Sequence, residues 1–298
     1  MTFINALPGA FAQGLCWGIM ALGVFLSYKI LDFADLTVDG SLCTGAAVFA
    51  VLLNAGAGLA VAMLCALLAG MLCGLITGAL HAFAGIPPIL AGILTQLALW
   101  SINLKIMGSS TVPVSVRQHT LLVSGLYMWQ SIGILVAFTV VVIGLLYWFF
   151  GTQYGCAIRA TGCNEDMARA QGVNTGVAKV VGLVISNGLV ALSGALLSQY
   201  QGAAEINMGR GAIIIGLAAV IIGGAVFSKI GKNFAVQMLA AVVGAIIYCV
   251  VYQLVISFGL DADFLKLLSA VVVAIFLSVP YLKQKFSSAR HKKGGKHA

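Results

Sequence analysis

Charged residues are scarce in this sequence of 298 residues: 8% are Asp, Glu, Lys or Arg, whereas 61% are hydrophobic. A soluble domain usually carries about 25% charged residues. The 16 basic and 8 acidic side chains are too few to cover the surface of a globule of this size. This shortage excludes an ordinary soluble protein and favours lipid as the solvent of the chain.

Sequence motifs of catalysis and metal binding are missing as well. The chain contains no Gly-x-x-x-x-Gly-Lys-Ser/Thr phosphate loop, so ATP hydrolysis is not expected in it. The four histidines are dispersed, and the seven cysteines show neither a CxxC pair nor Cys/His metal spacing. Most cysteines lie inside apolar runs, where we expect small buried side chains. We therefore predict that the chain is not an enzyme and that it binds neither a metal nor a cofactor.

Long apolar runs dominate the sequence instead. A helix needs about 20 apolar residues to cross a hydrocarbon layer of about 30 Å. A transmembrane barrel would show alternating segments of about ten residues, and none appear. We predict an all-α, polytopic membrane helical bundle of about 8–10 spans, with broken or re-entrant segments. The runs comprise residues 10–28, 58–82, 89–108, 127–150, 179–199, 212–228, 234–257 and 264–282, with a shorter run at 41–55.

Basic residues predict the orientation of this bundle. The loop at 151–178 and the tail at 283–298 carry Lys and Arg, which are enriched in cytoplasmic segments. We expect both, and hence the C-terminus, on the cytoplasmic side, and the segments 109–126 and 200–211 outside. The positive tail suits membrane lipid and does not indicate nucleic acid. A full span at 41–55 would give nine spans and an external N-terminus, whereas a re-entrant segment would give a cytoplasmic one.

A weak internal similarity predicts two repeat halves, 1–126 and 127–282, within a single transmembrane domain over residues 1–282. Two polar, glycine-containing segments that interrupt the helical pattern, called here the first and second breakers, each precede a short apolar run. The first breaker is Leu36-Thr37-Val38-Asp39-Gly40-Ser41 and the second is Ile206-Asn207-Met208-Gly209-Arg210-Gly211. Two such breakers in corresponding halves indicate a binding or translocation path where the halves meet.

Polar residues inside or beside the apolar runs are the candidates for that path. Gln96, Trp100 and Asn103 share one helical face, which would either line the path or form interhelical hydrogen bonds. Acidic residues near the breakers are functional candidates because membrane-embedded charges are costly, although local pairing, such as Asp35 with Lys29, stays open. His81 and Asn187 are interpreted as structural. The predicted path residues are Asp35, Thr37, Asp39, Ser41, Gln96, Trp100, Asn103, Glu205 and Asn207.

The longest polar stretch between spans, residues 155–174, predicts a short surface helix. Asn164 can cap its N-terminus, Glu165 and Asp166 suit its first turn, and Gly172 can end it. A helix of about two turns is not stable alone. It therefore requires a partner surface, such as a groove in another subunit.

Two patterns in this stretch resemble those of known transport proteins. Asp166-x-Ala168-x-x-x-Gly172 resembles the coupling-helix loop of ATP-binding-cassette (ABC) importer permeases. Arg159-Ala160-x-Gly162-x-Asn164, together with the downstream Gly223-Gly224 pair, resembles the permease group that serves branched-chain amino acids, simple sugars and nucleosides.

A narrower similarity concerns the substrate. The stretches Phe33 to Ser41, Gly85 to Thr95 and Trp100 to Gly108 are similar to a subgroup often assigned tryptophan or tyrosine uptake. The resemblance therefore implies an aromatic amino acid as solute. Branched-chain amino acids, nucleosides and simple sugars stay open, as does a secondary transporter or channel, which would not require the 155–174 segment.

The resemblance also implies partners. Two ATPase subunits, using ATP and Mg, would grip the coupling helices of two permease copies in the bacterial cytoplasmic membrane. An extracellular or periplasmic binding protein would deliver the solute. The residues implied in coupling to the ATPase are Arg159, Gly162, Asn164, Glu165, Asp166, Ala168, Arg169 and Gly172.

Overall fold

The computed structural model is a helical bundle with a single two-stranded ribbon among its described residues. It describes residues 3–115, 121–125, 127–227 and 233–257, together with Val271 and Ala274. A π-helical segment, Phe25–Ile30, continues the first helix. The elements in chain order are α1 (Phe3–Val24), α2 (Val38–Asn54), α3 (Leu59–Ala82), α4 (Pro88–Met107), β1 (Thr111–Pro113), α5 (Met128–Phe150), α6 (Gln153–Cys163), α7 (Glu165–Ala170), α8 (Thr175–Gln201), β2 (Ala203–Glu205), α9 (Ala212–Val226) and α10 (Phe234–Ser257).

The apolar helices confirm the predicted polytopic bundle. Six of those described are long and apolar enough to cross a membrane, namely α1 with its π-helical extension, α3, α4, α5, α8 and α10. Two shorter apolar helices, α2 and α9, follow the predicted breakers. The run at 264–282, apart from Val271 and Ala274, and the tail at 283–298 lie outside the described residues. The division into halves at residue 126 stays a prediction.

Helices α1 and α8 form the buried centre of the bundle. They contact each other; α3 and α2 pack on α8, and α10 and α9 pack on α1. Small residues permit the closest of these contacts, because a Cβ added at Gly74 of α3 would lie 2.2 Å from the carbonyl oxygen of Leu183 in α8. Gly70 and Gly78 meet α8 in the same way. The spacing of four residues thus places one glycine face against one helix.

The two ends of the bundle can be told apart by contacts between segments. At one end, β1 and β2 pair antiparallel, with Thr111 opposite Glu205. Helix α2 reaches this end, where Asn54 Nδ2 donates to the carbonyl of Pro113 at 3.0 Å. The start of α1 also lies there, since Tyr200 donates to the carbonyl of Gly9. Helices α6 and α7 lie at the opposite end.

This arrangement bears on the open question of the N-terminal half. Helix α2 is continuous over 17 residues, but it is shorter than the helices that could cross a membrane. The start of α1 lies at the end opposite to α6 and α7, which is where the nine-span alternative puts it. The ribbon also agrees with the prediction that 109–126 and 200–211 share one side.

Local details differ from the prediction in three places. Helix α2 begins at Val38, so Asp39 and Gly40 belong to its first turn and not to a loop. A helix not predicted from the sequence, α6, precedes α7. Cys156 and Cys163 in α6 are exposed, contrary to the expectation of buried cysteines.

Candidate translocation path and coupling surface

The buried side-chain amide of Asn187 holds the first breaker in place. Asn187, in the middle of α8, donates from Nδ2 to Asp35 Oδ2 at 2.6 Å. Its Oδ1 accepts from the hydroxyl of Ser41 at 2.7 Å. All three side chains are buried, so a single amide binds both sides of the breaker. Asp35 is therefore not paired with Lys29, and Asn187, interpreted from the sequence as structural, is the direct partner of two predicted path residues.

Threonines extend this network to two further helices. The Thr37 hydroxyl lies 2.7 Å from that of Thr77 in α3. Thr77 in turn donates to the hydroxyl of Thr95 in α4 at 3.0 Å. A satisfied polar network in a low-dielectric interior fixes the relative positions of its members. The breaker is thereby tied to α8, α3 and α4 at once.

Asp39 joins the two breakers directly. Its Oδ2 accepts from the backbone N–H of Gly211 and its Oδ1 from that of Ile213, both at 2.9 Å. These N–H groups open α9, where a negative charge suits the helix dipole. Gly209 lies so close that an added Cβ would be 2.0 Å from the Asp39 carbonyl oxygen. The predicted meeting of the breakers is thus a capping interaction between α2 and α9.

A cleft of about 440 Å³ lies beside this junction. Its wall brings together the predicted residues Asp39, Gln96, Trp100 and Asn103, the last three from one face of α4. Gly40, Cys43, Leu97, Ser101, Ile206 and Arg210 complete the lining.

Five predicted path residues take no part in this lining. Asp35, Thr37 and Ser41 are buried in the network at the first breaker. Glu205 belongs to β2 and is exposed, and Asn207 is exposed in the turn that follows. Arg210 was missed as a site residue, although its position in the second breaker was visible in the sequence. Asp35 borders a separate, smaller cavity of about 180 Å³.

Helix α7 has the capped form that the sequence predicts. Asn164 Oδ1 accepts from the backbone N–H of Met167 at 3.0 Å. At the other end Gly172 has a φ of +83°, and Val173 N–H donates to the carbonyl of Ala168 at 3.1 Å. This is a glycine C-cap of the Schellman type. Both ends of a six-residue helix are therefore satisfied by its own sequence.

Glu165 joins α7 to the bundle. It accepts from Lys179 of α8 at 2.6 Å and from Arg169 at 3.0 Å. The hydrogen bond from Lys179, and secondarily the positive charges of Lys179 and Arg169, lower the pKa of the Glu165 carboxyl. Its side chain is 37% exposed, so solvent screens part of this effect.

Lys179 also contacts His81, which links the ion pair to the segment before the first breaker. Lys179 Nζ lies 3.4 Å from His81 Nε2, at the end of α3. His81 Nδ1 lies 2.9 Å from the carbonyl of Ile86; a carbonyl only accepts, so Nδ1 carries the proton and Nε2 accepts from Lys179. The His81 ring packs edge-on against Phe33, with centroids 5.2 Å apart. A continuous set of contacts therefore links α7 to the segment that carries Asp35.

The predicted coupling residues divide into inward and outward groups. Ala168 is buried, the Arg159 guanidinium lies over the Phe234 ring at 5.2 Å, and Gly162 abuts the Ile30 carbonyl. These three hold the loop on the bundle. The outward surface of α7 instead carries Asp166 and Met167, the latter 61% exposed. Met167 was missed because a helix of two turns shows no apolar periodicity.

Bundle, breakers and surface helix define a class: a polytopic helical membrane protein with a polar cleft between its helices and a capped helix at one end. Within the described ranges, no cluster of His, Cys, Asp or Glu side chains could hold a metal ion.

Comparison with known proteins gives the family. Residues 8–279 match the family described as the permease component of branched-chain amino acid transport systems, and the chain belongs to that family. A tyrosine transport system permease protein of Clostridioides difficile is 39% identical over 92% of this chain and 91% of its own length. An uncharacterized protein of Rickettsia prowazekii is 35% identical over 92% of this chain and 98% of its own.

More distant similarities are consistent with this assignment. The autoinducer 2 import system permease protein LsrC of Salmonella typhimurium is 28% identical over 81% of this chain and 68% of its own. The solved structure of PsaBC from Streptococcus pneumoniae in complex with Fab matches with a TM-score of 0.54 and 18% identity, over 96% of each chain. At that identity the likeness concerns the fold alone.

Proposed function

We propose that this chain is the membrane-spanning permease subunit of an ABC importer for an aromatic amino acid. The observation that carries the proposal is α7, a helix capped at both ends that turns Asp166 and Met167 outward. So short a helix gains stability from a partner groove. The similarity to a tyrosine transport system permease supports the aromatic solute.

The proposal divides the work between this chain and its partners. Two cytoplasmic ATPase subunits bind and hydrolyse ATP with Mg, and each holds one α7. A second copy of the permease completes the path, and an external binding protein delivers the solute. The α6–α7 end and the C-terminus face the cytoplasm, in agreement with the basic residues Arg159, Arg169 and Lys179 at that end.

The contacts suggest how movement at α7 reaches the cleft. Displacing α7 moves Glu165, and with it Lys179 at the start of α8 and His81 at the end of α3. Both helices also hold the first breaker, through Asn187 and Thr77. The breaker carries Asp39, which caps α9 beside the cleft. Movement of rigid helices against each other around a fixed site is the general mode of alternating access.

A second candidate is the same transporter type with another solute. The family description names branched-chain amino acids, and LsrC belongs to an autoinducer 2 import system. Nucleosides and simple sugars belong to the same alternative.

Uptake of labelled tyrosine in a bacterial strain that lacks the gene tests the proposal. Restoring the chain should restore uptake, and a phosphate-loop lysine variant of the partner ATPase should abolish it. Excess tryptophan should compete, whereas leucine, ribose and adenosine should not. Competition by leucine or ribose alone would support the second candidate. Uptake that survives loss of the ATPase would contradict the importer and indicate a secondary transporter.

A further inference from the structure

The cleft beside the breakers contains a hydrogen-bond acceptor without a partner. Asn103 is buried, at 1% exposure, and lines the cleft. Its Nδ2 donates to the carbonyl of Gly40 at 3.3 Å, which fixes the orientation of the amide. Its Oδ1 has no hydrogen-bond partner among the described residues. Buried polar atoms are nearly always bonded in folded proteins, so this oxygen calls for a donor that the described residues do not supply.

The cleft also carries both signs of charge. The two carboxylate oxygens of Asp39 accept backbone bonds from the start of α9 and retain the capacity for a further bond. Arg210, from the second breaker, lines the same cleft, and no carboxylate of the described residues lies within ion-pair distance of it. A guanidinium binds a carboxylate with two parallel hydrogen bonds. The pair suits a small molecule that is itself both anionic and cationic.

An aromatic surface completes the cleft. Trp100 is 44% exposed, one helical turn from Gln96 and Asn103 on the same face of α4. An exposed indole beside polar groups offers stacking to an aromatic side chain. The volume of about 440 Å³ falls within the roughly 300–1,000 Å³ common for sites of small molecules.

We propose that this cleft is a solute site within the permease itself, which binds a free aromatic amino acid during translocation. Arg210 binds the α-carboxylate, Asp39 and Asn103 Oδ1 accept from the α-ammonium group, and the side chain of the solute lies on Trp100. The assignment rests on the proposed function for the class of solute. A neutral sugar would leave both charges of the cleft without counterparts.

Equilibrium binding of labelled tyrosine to the purified full-length permease in lipid nanodiscs tests the site without ATP or partners. Tyramine, which lacks the carboxylate, and 3-(4-hydroxyphenyl)propionate, which lacks the ammonium group, serve as matched competitors. Because one charge-assisted interaction is lost, Arg210→Gln should weaken tyrosine binding about tenfold or more. It should leave the affinity for tyramine unchanged. Trp100→Ala should weaken both ligands about threefold to tenfold.

Two surface variants are controls, because Lys105 and Trp129 are exposed and do not line the cleft. Lys105→Gln and Trp129→Ala should bind tyrosine as the wild type does. Arg210 and Trp100 are exposed, so their replacement spares the core. Absence of tyrosine binding to the wild type would overturn the proposal, as would equal loss of tyrosine and tyramine in Arg210→Gln.

These outcomes are separable from failure of the proposed function. If ATP-dependent uptake of tyrosine is intact and the cleft variants leave its KM unchanged, the importer stands and the site falls. If the cleft binds tyrosine but uptake does not require the ATPase, the site stands and the importer falls.

Discussion

Replacing Asp39 by alanine should release the first turn of α9. In the structure, the carboxylate of Asp39 is the acceptor for the backbone N–H groups of Gly211 and Ile213, each at 2.9 Å. Alanine removes both bonds and the negative charge at the helix N-terminus. Asparagine retains one acceptor oxygen and should give an intermediate effect.

The magnitude follows from the nature of the cap. A neutral capping side chain contributes about 0.5–2 kcal/mol, and charge-assisted bonds are roughly twice as strong as neutral ones. Asp39 is only partly buried, so we expect a loss of about 2 kcal/mol. Such a loss raises the population of the locally opened turn by about thirtyfold.

Hydrogen exchange followed by mass spectrometry on the nanodisc-embedded permease measures this directly. Peptides covering residues 207–216 should exchange about thirtyfold faster in Asp39→Ala, with the asparagine variant between it and the wild type. Asp166→Ala is the matched control, because it removes an acidic residue from the start of α7 and should leave these peptides unchanged. Unaltered exchange in Asp39→Ala would refute the assignment of Asp39 as the cap of α9.

Three further changes have defined outcomes. Gly74→Ala overfills the contact between α3 and α8 and should lower the thermal unfolding midpoint of the purified permease, by the equivalent of about 1–3 kcal/mol, whereas Gly144→Ala, which meets open space, should not. Because Lys179 lowers the pKa of Glu165, the ion pair stabilises fully above the ordinary value of 4.5 and is lost as the pH falls through the lower folded-state value. Glu165→Gln should therefore abolish an acid-induced rise in hydrogen exchange of the α7 peptides, an effect of under about 1 kcal/mol. Met167→Glu places a charge on the outward surface of α7 and should reduce co-purification of the ATPase, whereas Met167→Leu should retain it.

Each of these expectations has an opposite result that counts against it. Equal unfolding midpoints for Gly74→Ala and Gly144→Ala would contradict the close approach of α3 to α8. The same acid response in wild type and Glu165→Gln would contradict the ion pair with Lys179. Full ATPase recovery with Met167→Glu would remove Met167 from the docking surface.

Local features of the structure could be predicted from the sequence because they depend on neighbouring residues only. Asn164 and Gly172 set the two ends of α7, since a side-chain cap and a left-handed glycine act within one turn. The spacing of Gln96, Trp100 and Asn103 likewise fixes a shared face once the helix exists. Composition and run length sufficed for the membrane bundle.

Long-range contacts could not be predicted in this way. Asp39 caps a helix 172 residues away along the chain, and Asn187 binds Asp35 over a separation of 152. Which face of α8 meets the breaker depends on how α3 and α2 pack on it. Arg210 became a candidate only when the second breaker was seen to border the same cleft as α4.

Accumulation of tyrosine in proteoliposomes tests the central claim most directly. Vesicles with the permease, its ATPase and the binding protein should accumulate tyrosine against its gradient when ATP is present on the side of α6 and α7. Vesicles with the permease alone should not accumulate it under any ion gradient. Accumulation by the permease alone, driven by protons or sodium, would contradict the division of work proposed for this chain.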